Sequence, residues 1–92
     1  MRTARVNVSI DTPDLDAAIE FYSTVFDFKE SARPLPHMAV LDGGNVSICV
    51  HQKVEGSPCC DQSTDPRRYE RHWTPVHLDF HVDGFKSCLA LI

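Results

Sequence analysis

The residues of this chain best suited to chemistry are histidines and cysteines set at even spacing along alternating runs. His77 and His81 flank Asp79 on one side of the alternating run Val76-His77-Leu78-Asp79-Phe80-His81-Val82. On an extended backbone, imidazoles so spaced face the same way and can approach one cation, because neutral imidazole is a good ligand for first-row metals. Cys49 and His51 repeat this geometry in Val46-Ser47-Ile48-Cys49-Val50-His51. The metal-ligand candidates are therefore His77, His51 and Cys49, with His81 as a further ligand-contacting residue. Each has a blander reading. A polar row on a strand is commonly a solvated face, and cysteine is among the most frequently buried small residues.

Two further groups carry some chemistry. Cys59-Cys60 is a vicinal thiol pair in a polar stretch; paired thiolates favour soft ions, although ordinary exposed thiols are the commoner case. Trp73 and Tyr69 lie just before the 76–82 run and can wall a ligand pocket or serve an interface. Tyr22 and Phe21 read as helix-packing residues. No glycine-rich phosphate loop or CxxC pair occurs, and no Ser-His-Asp set can be argued from spacing.

These side chains need a scaffold, and 92 residues suffice for one small domain. An apolar fraction of 42% and a charged fraction of 24% are those of an ordinary globular chain. The net charge of -4 argues against nucleic acid or an anionic membrane as partner, since both are met by basic patches. No apolar run is long enough to span a bilayer. The N-terminal residues alternate instead of forming the apolar core of a signal peptide. The expected location is the cytoplasm, with the four cysteines as free thiols.

Val6, Val8 and Ile10 alternate with polar residues as in a half-buried strand. Thr12 is the expected helix cap and Pro13 the first helical residue. Leu15, Ala18, Ile19, Tyr22, Val25 and Phe26 then form one apolar stripe, predicting a helix over 13–26. Asp11, Asp14, Asp16 and Glu20 read as helix-start and solvated-face charges. A short strand over 28–33 is expected to stop before Pro34 and Pro36. Asp42-Gly43-Gly44-Asn45 marks the turn of a hairpin over 37–51.

Residues 53–74 form a polar linker or a lid, with room for one helical turn between Arg67 and Trp73. The run at 76–82 predicts another strand, and 85–92 the start of a helix. Asn7 and His77 occupy equivalent places in two strands that each run into a helix start, so the chain reads as a repeated unit.

Asp14-Leu15, Phe21-Tyr22, Val25-Phe26-Asp27-Phe28, Asp42-Gly43-Gly44 and His77-Leu78-Asp79-Phe80-His81-Val82-Asp83 appear in an order that resembles the vicinal-oxygen-chelate superfamily of glyoxalases, bleomycin-resistance proteins and dioxygenases. The resemblance covers about residues 5–51 and 75–85. It implies an α+β fold: a βαβββ module with a curved mixed sheet over 1–52, the 53–74 linker, and the first strand of a second module within 75–92. It also implies a polar sheet face that holds a divalent metal ion or a small ligand.

The family's metal positions on the first strands map to Asn7 and His77. Its fourth-strand position falls at or near Cys49, with His51 next on the same face. A neutral amide suits Asn7 to ligand contact better than to metal binding. Two functions follow: a divalent-metal-dependent lyase or dioxygenase, or a non-catalytic drug- or metabolite-binding protein of the bleomycin-resistance type. An unpaired sheet edge makes a homodimer the expected partner state, through exchange of the strand at 76–82. A third reading is that the chain is part of a longer functional product.

Overall fold

The computed structural model describes residues 3–92. The first strand, β1 (Asn7–Thr12), turns Val8 and Ile10 inward and leaves Asn7, Ser9 and Asp11 exposed. Val6, expected on the buried side, precedes the strand and is exposed.

Helix α1 (Leu15–Phe26) begins two residues later than the apolar pattern suggests. Asp14, in extended conformation, is the cap: its carboxylate accepts the Ala17 N–H at 3.1 Å. The Leu15 N–H donates to Gln52 Oε1 at 2.9 Å, so the sheet satisfies another free donor at the helix start. Thr12 does not cap; its hydroxyl bonds the backbone of Asp14, and Pro13 lies outside the helix. The helix ends at Asp27, in the left-handed conformation at φ 58°, beyond which the Phe28 N–H donates to the Tyr22 carbonyl.

Strands β2 (Lys29–Leu35), β3 (Met38–Asp42) and β4 (Ser47–Gln52) complete a four-stranded sheet in the order β1-β4-β3-β2. β1 runs parallel to β4, and the remaining pairs are antiparallel, which makes the sheet mixed. β2 continues through Pro34, two residues beyond the expected span. It can do so as an edge strand, with shifts in register that accommodate the missing donor. The β3–β4 turn is closed by the Gly43 N–H on the Val46 carbonyl, and Gly44 supplies the positive φ of 93°.

The order is that of a βαβββ module, and the class is α+β. One sheet face carries the core: Ala39, Leu41, Ile48 and Val50 are buried beneath Leu15 of α1 and against Phe28. The ladder pairs Val8 with Ile48 and Ile10 with Val50, placing these residues on that same side. The alternate positions (Asn7, Ser9, Asp11, Met38, Val40, Ser47, Cys49 and His51) form the opposite face.

The later residues depart further from expectation. The 53–74 stretch contains no helical turn between Arg67 and Trp73. It makes a small antiparallel excursion, with a Pro58–Pro66 bridge and reciprocal backbone bonds joining Gly56 and Ser57 to Arg67. Residues 76–82, expected as a strand, form no ladder among the described residues. Alternation makes a segment competent to pair, but a strand exists only where a neighbouring backbone edge meets it. Beyond this segment, α2 (Phe85–Leu89) rests against the end of α1 through a Cys88 Sγ bond to the Val25 carbonyl at 3.3 Å.

Candidate functional site

The candidate residues divide between the two sides of the sheet. Cys49 and His51 project together from β4 on the face away from α1, both half-buried. Their ladder neighbours are Ser9 and Val40 for Cys49, and Asp11 and Met38 for His51. Asn7 lies further along this face, exposed, and lines a shallow cleft with Asn45 and Ser47.

His77 and His81 belong elsewhere. With Asp79 they border a cleft of about 410 Å³ between the 77–82 segment and the side of the sheet that α1 packs on. Its floor is apolar, formed by Val8, Val46, Ile48, Phe26 and Phe28. Val8 and Ile48 alternate with Asn7 and Cys49 along their strands, so one sheet separates this cleft from the Cys49–His51 row. The segment is keyed in place by Phe80, whose ring stacks on Phe26 with centroids 4.2 Å apart and planes 11° apart. Burial among these aromatic rings raises the Tyr22 phenol pKa above its usual range.

The donor chemistry can be compared directly with what a resident divalent metal requires. Catalytic zinc sites and the facial-triad iron sites take three side-chain ligands. Among the described residues, no group of three or more His, Cys, Asp or Glu side chains is placed to hold an ion. Within one chain, His51 and Cys49 lie on one side of the sheet and His77 on the other, so the three do not converge on one point.

A third place, which no local sequence pattern marks, lies beside the end of β1. A cleft of about 630 Å³ is lined by Asp11, Arg67, Arg68, Tyr69, His72 and Thr74, among others. Arg67 Nε donates to Asp11 Oδ2 at 2.8 Å, and its Nη1 donates to both Ser57 Oγ and the Pro58 carbonyl. The bond to Asp11 raises the Arg67 pKa still further. The Tyr69 hydroxyl donates to the Lys53 carbonyl at 2.8 Å, and loss of solvent raises its pKa as well. Asp11 is thus an ion-pair partner, not simply a solvated charge. No local pattern could have signalled this, because the partner is remote in sequence. Trp73 is exposed and lines none of these three clefts. Cys59 and Cys60 are exposed free thiols near the tip of the excursion.

With βαβββ order, a mixed sheet and α1 across one face established, comparison with known families is decisive. A family model described as a glyoxalase-like domain matches residues 7–90. The chain belongs to the glyoxalase-like domain family. The match includes the 76–82 segment and α2 and is consistent with the vicinal-oxygen-chelate superfamily. No curated protein matches the chain. In this glyoxalase-like domain the cleft under 77–82 joins an apolar floor to the polar residues His77, Asp79 and His81, and among the described residues no helix covers the Cys49–His51 face. No helix among the described residues is long and apolar enough to cross a membrane.

Proposed function

We propose that this glyoxalase-like domain binds a small organic molecule in the cleft beneath residues 77–82, and that it acts by binding instead of by metal-dependent lyase or dioxygenase chemistry. The observation that carries this reading is the cleft itself. Its volume of about 410 Å³ falls within the usual range for small-molecule sites. An apolar floor supplies the driving force, and His77, Asp79 and His81 supply the few polar groups that orient a ligand.

The test is a thermal-shift screen of wild type and Val46→Trp, whose indole would fill the cleft from the β3–β4 turn. Ligands that raise the melting temperature of wild type, without turnover, should lose their effect in the variant. Hits unaffected by Val46→Trp but abolished by His51→Ala would move the site to the other sheet face. Tight divalent-metal binding that depends on Cys49 and His51 would restore the metal-dependent reading.

We also infer that two copies associate through residues 76–82. Val76, Leu78 and Phe80 keep exposures of 71%, 40% and 37%, and an alternating segment without a ladder is a ready partner for an open sheet edge.

A further inference from the structure

We propose that Phe80 is a built-in occupant of an aromatic site on Phe26, and that the cleft's ligand is a flat aromatic molecule that takes the place of its ring. This rests on the reading of the cleft as a binding site and names the ligand class.

Phe26 is surrounded by rings, but they meet it differently. Phe21 and Phe28 approach at interplanar angles of 82° and 64°, edgewise or nearly so. Tyr22 is tilted at 37° and 6.4 Å, and among the described residues only Phe80 is stacked, at 11° and a centroid distance of 4.2 Å. One face of Phe26 is therefore already presented as a platform for a second flat π-system. Tyr22 and Phe28 border the same place, with centroids 6.4 and 6.2 Å from Phe80.

The occupant is held loosely. Among the described residues, no backbone-to-backbone hydrogen bond joins residues 75–83 to the rest of the chain, the Val76 carbonyl accepts only from the adjoining Thr74 hydroxyl, and the segment's side chains are largely exposed. Phe80 itself remains 37% accessible, so its departure forfeits chiefly the ring stack and neighbouring apolar contacts. A ligand that restores the stack recovers that loss. The cleft extends past the ring over Val8, Val46 and Ile48, giving room for a second fused ring, and polar substituents would meet His77, Asp79 or His81.

Calorimetric titration with 2-naphthol and its saturated counterpart, decahydro-2-naphthol, tests the proposal on wild type, Phe80→Ala and Phe26→Leu. Phe80→Leu serves as a second opening variant that keeps apolar bulk, and circular dichroism checks each fold. Removing the Phe80 ring should tighten 2-naphthol binding about three- to tenfold, the scale of one aromatic pair, and leave the saturated probe nearly unchanged. Phe26→Leu should abolish the preference for the flat probe.

Equal or weaker 2-naphthol binding after loss of the Phe80 ring overturns the proposal. An equal gain for both probes also overturns it, while leaving the cleft a binding site for apolar molecules. Failure of both probes to bind any folded variant removes the binding reading itself.

Discussion

Arg67 Nε meets Asp11 Oδ2 at 2.8 Å, joining the exposed end of β1 to a loop 56 residues later. The same guanidinium bonds Ser57 Oγ at 3.1 Å and the Pro58 carbonyl, so one side chain ties both arms of the 53–74 excursion to β1. Its side chain is only 18% exposed, whereas that of Asp11 is 40% exposed. Arg67→Met should therefore loosen the excursion without unfolding the sheet. Hydrogen exchange should quicken at Gly56, Cys59 and Arg67 while β3 and β4 stay protected. Uniformly faster exchange across the sheet would show that the clamp supports the whole fold.

Gly43 is required for space. A β-carbon there would collide with the ring of Phe28, which is buried at the end of the core. Gly43→Ala should cost about 1–3 kcal/mol, as overpacking does in a dense interior, read by urea unfolding. Gly44 meets no such neighbour, and its substitution should act through its positive φ alone. A neutral Gly43→Ala would mean that the Phe28 ring yields without cost.

Asp27 closes α1 in a backbone conformation that glycine adopts without penalty. Asp27→Gly should raise the melting temperature by a few degrees, despite losing the exposed pair with Lys29 at 2.8 Å. A fall in melting temperature would show that the Lys29 contact outweighs the backbone strain.

Burial raises the Tyr22 pKa in the folded state, which favours the neutral phenol there. Between its unfolded and folded values the native protein holds more protons than the unfolded chain, so stability falls as pH rises. The contribution is complete below the unfolded phenol value and lost as pH climbs through the folded one. Tyr22→Phe should flatten this alkaline decline, measured by chemical denaturation at stepped pH. An unchanged slope would assign the decline to another group, with Tyr69, also raised, the first to check.

Self-association should appear as a concentration-dependent monomer–dimer equilibrium in sedimentation. Leu78→Asp, which puts charge into the alternating segment, should shift it to monomer. A monomer at all concentrations, or a dimer indifferent to this substitution, would remove residues 76–82 from any interface.

Much of the fold was legible because its signals are local. Strand alternation in Val8 and Ile10, the stripe from Leu15 to Phe26 and the Gly43-Gly44 turn each depend on near neighbours. Placement of the candidate site was less legible. His77 and His51 each lie on a recognisable alternating run, but alternation says only which residues share a face. It does not say which way that face points. The Phe26–Phe80 stack was hidden for the same reason: Phe26 read as one residue of a helix stripe and Phe80 as one of a strand face.

By itself, the sequence determined the order of elements from β1 to β4, the hairpin and the row that β4 presents as Cys49 and His51, since periodicity and turn chemistry act over a few residues. Tertiary structure alone decided that Asp14 displaces Thr12 as the cap, that Arg67 reaches Asp11, and that residues 76–82 lie across an apolar cleft with no partner strand among the described residues. Each of these depends on which distant group arrives alongside, and a backbone edge or a charge exerts its effect only on what packs against it.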